Sequence, residues 1–195
     1  MREAGAVFYN ILYCAEAGME INVAQLLKSS IGTEREYEIS GNIDILGDGT
    51  FCSVDGKVNL VRTDRGILAR GLLVTGVGLT CGRCLSPFRC PLTINIEEEY
   101  FPTIDIITGA RLTQPDEPEH FTIDERHILD LTEAVRQAAV LAMPMKPLCS
   151  PECAGLCPGC GQNLNLGPCQ CPPSQGDERW AVLQTLPLSD KEKGN

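Results

Sequence analysis

Ile67-Leu68-Ala69-Arg70-Gly71-Leu72-Leu73-Val74-Thr75-Gly76-Val77-Gly78-Leu79-Thr80 runs directly into Cys81-Gly82-Arg83-Cys84. The first part is rich in Leu, Val and Gly and reads as extended chain; the second is a cysteine knuckle placed at its end. Working upstream, Asp64-Arg65-Gly66 reads as a turn and Val54-Asp55-Gly56-Lys57-Val58-Asn59-Leu60-Val61 as another extended run. Before that comes the turn Gly47-Asp48-Gly49, preceded by Tyr37, Ile39, Ile43 and Ile45. Downstream, Leu92, Ile94 and Ile96 alternate with polar neighbours before the acidic run Glu97-Glu98-Glu99. About three to five antiparallel strands joined by glycine turns are the economical interpretation.

Two helices are predicted around this sheet. Asn22 can cap a short one over Val23 to Ser30, with Gly32 as its stop signal. Ile128, Leu131, Val135, Ala138 and Ala142 recur at steps of three and four residues and build one apolar stripe. Asp130 followed by Glu133 resembles a capping box, Thr122 with Glu125 offers an earlier start, and Pro144 closes the pattern. Pro115 to Glu119 reads as an acidic surface loop. The expected fold class is α+β: a curved antiparallel sheet, or partial barrel, packed by one main helix. Residues 1–18 then read as an N-terminal extension and 19–147 as the body. Residues 148–173 read as a cysteine-rich metal-binding segment, and 174–195 as a short amphipathic piece with Trp180, Leu183 and Leu186 ahead of a disordered tail.

The 195 residues include eleven cysteines, an odd count, and the chain carries a formal charge of −10. The apolar stretch Ala6 to Ala15 contains Asn10 and lacks a small-residue cleavage site, so it makes a poor export signal. No uninterrupted apolar run approaches the ~20 residues a membrane helix needs. A cytoplasmic protein with reduced thiols is therefore expected, and such thiols become metal ligands. The charge also excludes a free-standing electrostatic nucleic-acid binder. It is uneven, however: from Asp55 to Cys90, six basic residues stand against two acids, giving that segment +4 and leaving −14 for the rest of the −10 total. That segment is either a solvated sheet face or a docking surface, with Arg62, Arg65, Arg70 and Arg83 as the candidate contacts.

After Pro147 the chain collapses into Cys, Gly, Pro and Asn, with too little apolar surface to offset its ordering entropy. A metal or disulfides must fix it. Cys157-Pro158-Gly159-Cys160-Gly161 is a strong zinc-knuckle signal: two thiolates two residues apart share one tetrahedral ion, and the glycine after them lets the backbone turn back. Cys169 and Cys171 follow, Cys149 and Cys153 precede, and Cys81 with Cys84 makes a further knuckle. Two schemes are sensible. In one, Cys81, Cys84, Cys149 and Cys153 clamp the tail to the sheet while Cys157, Cys160, Cys169 and Cys171 form a second site. In the other, Cys149, Cys153, Cys157 and Cys160 make a single local site. The first is preferred because it leaves no close thiol pair idle. One or two zinc ions are expected, with Cys14, Cys52 and Cys90 left as buried thiols.

The spacing of Cys153, Cys157 and Cys160 also matches an iron–sulfur cradle of radical enzymes, but the chain lacks the repeating βα pattern those enzymes need. His120 and His127, the only histidines, fall outside the cysteine cluster, and no nucleophile–base pair or phosphate loop is present. Binding or assembly, not catalysis, is the expected role.

The ordered set Gly66-Ile67-Leu68, Gly71, Cys81-Gly82-Arg83-Cys84-Leu85, Glu97-Glu98-Glu99-Tyr100, Asp130-Leu131-Thr132-Glu133, Pro144-Met145-Lys146-Pro147-Leu148-Cys149 and Cys153-Ala154-Gly155-Leu156-Cys157-Pro158-Gly159-Cys160-Gly161 with Asn163-Leu164-Asn165 resembles the large ribosomal RNA subunit accumulation protein family (YceD-like) of bacteria and plastids. The match runs from about Met19 to Leu186. It implies a role in ribosome biogenesis, with ribosomal RNA precursor or a large-subunit assembly intermediate as partner. Members of that family begin near the Met19 equivalent, so Met1 to Gly18 reads as a lineage-specific extension or a misplaced start codon. Some relatives keep the first cysteine pair while lacking the later knuckle, which implies the two-site scheme. A metallochaperone or zinc reservoir serving ribosomal zinc proteins is the alternative of a different class.

Overall fold

The structure, a computed structural model, describes residues 19–113 and 120–172. The readings of residues 1–18, of the loop Pro115 to Glu119 and of the Trp180 segment lie outside the described residues. Four long strands, β2 (Glu34–Asp44), β3 (Phe51–Arg62), β4 (Ile67–Thr80) and β5 (Pro87–Pro102), follow one another as antiparallel hairpins. Three short strands complete the sheet: β1 (Glu20–Asn22), β6 (Phe121–Ile123) and β7 (Ile128–Asp130). The order β1-β7-β6-β5-β4-β3-β2 makes one seven-stranded sheet, curled into a half-barrel.

Alternation explains the long strands. Val54, Val58 and Leu60 of β3, Ile67, Ala69, Leu73 and Val77 of β4, and Leu92, Ile94, Ile96 and Tyr100 of β5 are buried, while their neighbours face outward. Gly71 interrupts the inward row because a Cβ there would meet the Lys57 carbonyl oxygen and Val58 Cγ2, each at 2.7 Å. Only glycine lets the two strands approach so closely at that point. The turns are built by side chains: the Asp44 carboxylate accepts the N–H groups of Gly47 and Gly49 at 2.7 and 2.8 Å. At the next turn, Thr63 Oγ1 accepts the Gly66 N–H at 2.8 Å and donates to Glu99 at 2.7 Å. The β4–β5 connection is the first cysteine knuckle, where Cys81 N–H donates to the Ser86 carbonyl at 3.0 Å.

Three details differ from the sequence expectation. One pair, β5 with β6, is parallel; the connection over residues 103–120 is long enough to bring the chain back in the same direction. Ile128 belongs to β7, not to the helix, and Leu131 occupies the N-cap. Asp124 causes this by accepting the N–H groups of Arg126 and Ile128 at 2.9 and 2.7 Å, which turns the chain back between β6 and β7. The earlier start at Thr122 and Glu125 is excluded by the same strand and turn. The first helix, α1 (Ala24–Leu27), is one turn long, with the Asn22 side chain accepting the Ala24 N–H at 3.1 Å.

The main helix, α2 (Thr132–Ala142), starts where the Asp130 carboxylate accepts the Thr132 N–H at 2.8 Å. It buries Ala134, Val135 and Ala139 and packs mainly on β5. Glu133 does not reach back to close a capping box; Arg136 and Gln137 bind its carboxylate and hold its pKa down to about 2. Among the described residues no helix is long and apolar enough to cross a membrane.

Candidate metal centre

The β4–β5 knuckle and the segment after α2 meet at one end of the sheet. Gly82 N–H donates to the Pro147 carbonyl at 2.8 Å, which seats the segment on the knuckle. Cys81, Cys84, Cys149 and Cys153 then gather into one group, with Sγ–Sγ separations of 3.7 Å between Cys81 and Cys153 and 3.6 Å between Cys84 and Cys149. Phe88, Leu148 and Leu156 pack around three of these sulfurs. Arg83 braces the group from outside, donating to the carbonyls of Cys153 at 3.0 Å and Pro151 at 3.4 Å.

Cys157, Cys160, Cys169 and Cys171 form a second group, with 3.4 Å between the sulfurs of Cys157 and Cys169. Its knuckle closes through Gly161 N–H to the Cys157 carbonyl at 2.8 Å, and Gly161 takes a φ of +74°, a conformation that favours glycine. The two groups are joined by asparagines. Asn165 Nδ2 donates to Cys153 Sγ at 3.4 Å while its Oδ1 accepts the Ala154 N–H at 2.8 Å, and Asn163 Nδ2 donates to Ser86 Oγ at 3.1 Å.

Both groups fit a single tetrahedral ion. Zinc–thiolate bonds of about 2.3 Å place neighbouring sulfurs about 3.8 Å apart, and each group keeps all its sulfurs within 4.8 Å of one another. A disulfide needs about 2.05 Å, and every described cysteine is free. The electrostatics point the same way. The N–H groups of Cys84 and Cys149 lower the Cys81 thiol to about 6, and the Ser86 hydroxyl lowers that of Cys84. The N–H groups of Cys160 and Gly159 lower Cys157 to about 6. Cys149, beside the sulfurs of Cys84 and Cys153, and Cys171, beside those of Cys160 and Cys157, are each pushed up to about 12. Each group thus holds at least one thiol whose pKa is lowered and one that keeps its proton until a cation offsets its neighbours.

A family model described as Large ribosomal RNA subunit accumulation protein YceD matches residues 69–187, more than half of the chain. The chain belongs to the YceD family. An uncharacterized protein of Mycobacterium tuberculosis is 33% identical over 151 residues, covering 76% of this chain and 69% of the relative. Another, from Mycobacterium leprae, is 24% identical over 143 residues, covering 73% and 62%. The Large ribosomal RNA subunit accumulation protein YCED homolog 1, chloroplastic, of Zea mays is 29% identical over 157 residues, covering 68% of this chain and 53% of that one. No solved structure gives a significant match.

In this YceD-family chain the four arginines singled out in the sequence do not gather into one positive surface. Arg62 Nη1 donates to the carbonyls of Thr63 and Gly66 at 2.7 and 2.8 Å. Arg65 pairs with Glu99 at 3.3 Å and lies 5.4 Å from the Phe101 ring centre. Arg70 pairs with Glu97 at 2.9 Å. Arg83 is beside the first cysteine group, separated from the Arg62–Arg65 turn by the whole of β4, a contour of about 45 Å. Part of the local positive surplus of the sequence is met in space by carboxylates of neighbouring strands: Lys57 meets Glu36, Arg65 meets Glu99 and Arg70 meets Glu97. Cys52 is buried in the main core, Cys90 is half-buried against it, and Cys14 lies outside the described residues. Ser86, Asn163 and Asn165 were not singled out as functional in the sequence. The two asparagines stand in a quoted motif without a role, and nothing in the spacing marks Ser86.

Proposed function

We propose that this protein is a non-enzymatic zinc-binding factor that supports accumulation of large-subunit ribosomal RNA and assembly of the large ribosomal subunit. The observation that carries the reading is the joining of family membership to two four-thiol centres, one of which spans the sheet and the tail. Thiolate sets select zinc or iron–sulfur clusters, and sulfurs this close together suit one ion and leave no room for a multi-iron cluster. Four protein ligands fill a tetrahedral zinc site completely, which favours a structural ion over a catalytic one. His120 and His127 lie outside both centres, and a reducing cytoplasm keeps such thiols available.

Contact with ribosomal RNA precursor, or with an assembly intermediate, is assigned to the end of the sheet opposite the metal. There Arg62, Arg65 and Phe101, together with Asp64 and Asp105, line a cleft of about 460 Å³. Arg62 and Arg83 serve backbone carbonyls, whereas Arg65 and Arg70 are exposed and held by surface ion pairs with Glu99 and Glu97 that a phosphate can displace, so they are the residues to reverse. Loss of crosslinking to ribosomal RNA in Arg65→Glu with Arg70→Glu is expected; unchanged crosslinking rejects this surface. For the function itself, depletion of the protein is expected to lower large-subunit relative to small-subunit ribosomal RNA, and the holoprotein is expected to co-sediment with large-subunit precursors. An unchanged ratio rejects the factor role. Ready transfer of both ions to a competing zinc protein, without particle association, replaces it with a metallochaperone.

A further inference from the structure

The two centres differ in ways that separate their roles. In the first, Cys81, Cys84 and Cys153 are buried and only Cys149 is exposed, and the paired sulfurs come from residues 65 and 72 apart in sequence. An ion there closes a long loop, and its loss frees the tail from the sheet. N–H···S contacts also reach this centre, among them those from the Arg83 backbone to Cys81 and from Asn165 to Cys153, each at 3.4 Å.

The second centre is local. All four of its ligands lie between Cys157 and Cys171, so its loss opens only a short loop. Cys157 is buried, but Cys160 is exposed and Cys169 and Cys171 are half-buried. Unlike the first, it is not the centre of a buried apolar cluster among the described residues. In this centre the Gly159 N–H donates to Cys157 Sγ at 3.4 Å. An incoming thiolate therefore meets three accessible ligands at the second centre, Cys160, Cys169 and Cys171, and one, Cys149, at the first.

The geometry points to a division of labour, resting on the zinc reading above: the first centre is a permanent fastener and the second is an exchangeable one that passes its ion to an acceptor rich in free thiols. The exchange is a ligand substitution without change of oxidation state. The ion moves as a divalent cation, acceptor thiols lose their protons as they bind it, and the vacated thiolates of Cys157, Cys160, Cys169 and Cys171 take protons up.

The test mixes the fully loaded chain with excess metal-free four-cysteine zinc-ribbon peptide and follows the metal count by native mass spectrometry. Thiol alkylation and peptide mapping at each time identify the vacated ligands. One ion is expected to leave at least tenfold faster than the other, with Cys157, Cys160, Cys169 and Cys171 labelled first. The variant Cys157→Ser with Cys160→Ser should hold one ion and show no fast phase. Both ions leaving together, or earlier labelling of Cys81 and Cys84, overturns the inference alone. A chain that takes up no zinc overturns both it and the reading beneath it.

Discussion

Tyr100 carries a contradiction within one side chain. Its ring is 1% exposed and stacks on Phe121 at 5.2 Å between centres, yet its buried hydroxyl has no hydrogen-bond partner among the described residues. Burial above all, with smaller repulsion from Asp130 and Glu98, pushes the phenol above the ordinary value of about 10. Because the folded value exceeds the unfolded one, this contribution to stability is complete below about pH 10 and is lost as pH rises toward the folded value. Tyr100→Phe keeps the stack and removes the orphaned hydroxyl. Urea unfolding should show it unchanged or up to about 1 kcal/mol more stable at pH 7, with a smaller alkaline loss than wild type. A clear loss of stability at pH 7 means the hydroxyl has a partner.

Leu85 and Gly161 occupy equivalent positions, each directly after the second cysteine of a knuckle, and both take positive φ, +58° and +74°. Leucine there bears about 1 kcal/mol or more of backbone strain, and its side chain is 64% exposed, so packing returns little. Leu85→Gly is expected to stabilise the loaded protein by about 0.5 kcal/mol, the strain relief being partly offset by unfolded-state entropy. Gly161→Ala should cost about 1 kcal/mol. Thermal unfolding at constant metal content checks both, and a destabilised Leu85→Gly shows that the side chain is held by contacts.

At the scale of elements, the long strands were legible because one face of each is buried, so period-two alternation survives in Ile39, Val54, Val58, Leu73, Ile94 and Ile96. The short strands were not. Three residues such as Ile128–Asp130 cannot display a period, and the spacing of Ile128 and Leu131 imitates a helix that begins only at Thr132. What decides that boundary is the Asp124 carboxylate, a local hydrogen-bonding detail invisible to hydropathy. The core of the long strands also bears the load: Leu73, fully buried between Gly56 of β3 and Ile94 of β5, should cost about 2–5 kcal/mol when replaced by alanine. Chemical denaturation with metal retained measures this; a cost below about 1 kcal/mol places the core elsewhere.

For the whole molecule, the close cysteine pairs were legible one by one, and preferring the scheme that leaves none idle gave the two groups the structure brings together; spacing alone left the single local site open. Spacing ranks neighbours in sequence, and Cys84 and Cys149 become neighbours only when the Gly82–Pro147 hydrogen bond seats the tail on the knuckle. The basic residues of 55–90 look unopposed in sequence, but Lys57 meets Glu36, Arg65 meets Glu99 and Arg70 meets Glu97 across strands.

The central claim is that two ions are bound and that one of them fastens the tail to the sheet. Native mass spectrometry of the wild type and of Cys81→Ser with Cys84→Ser tests it directly. Two zinc ions in the wild type and one in the variant are predicted; a single ion unaffected by the substitutions, or none in the wild type, contradicts the account.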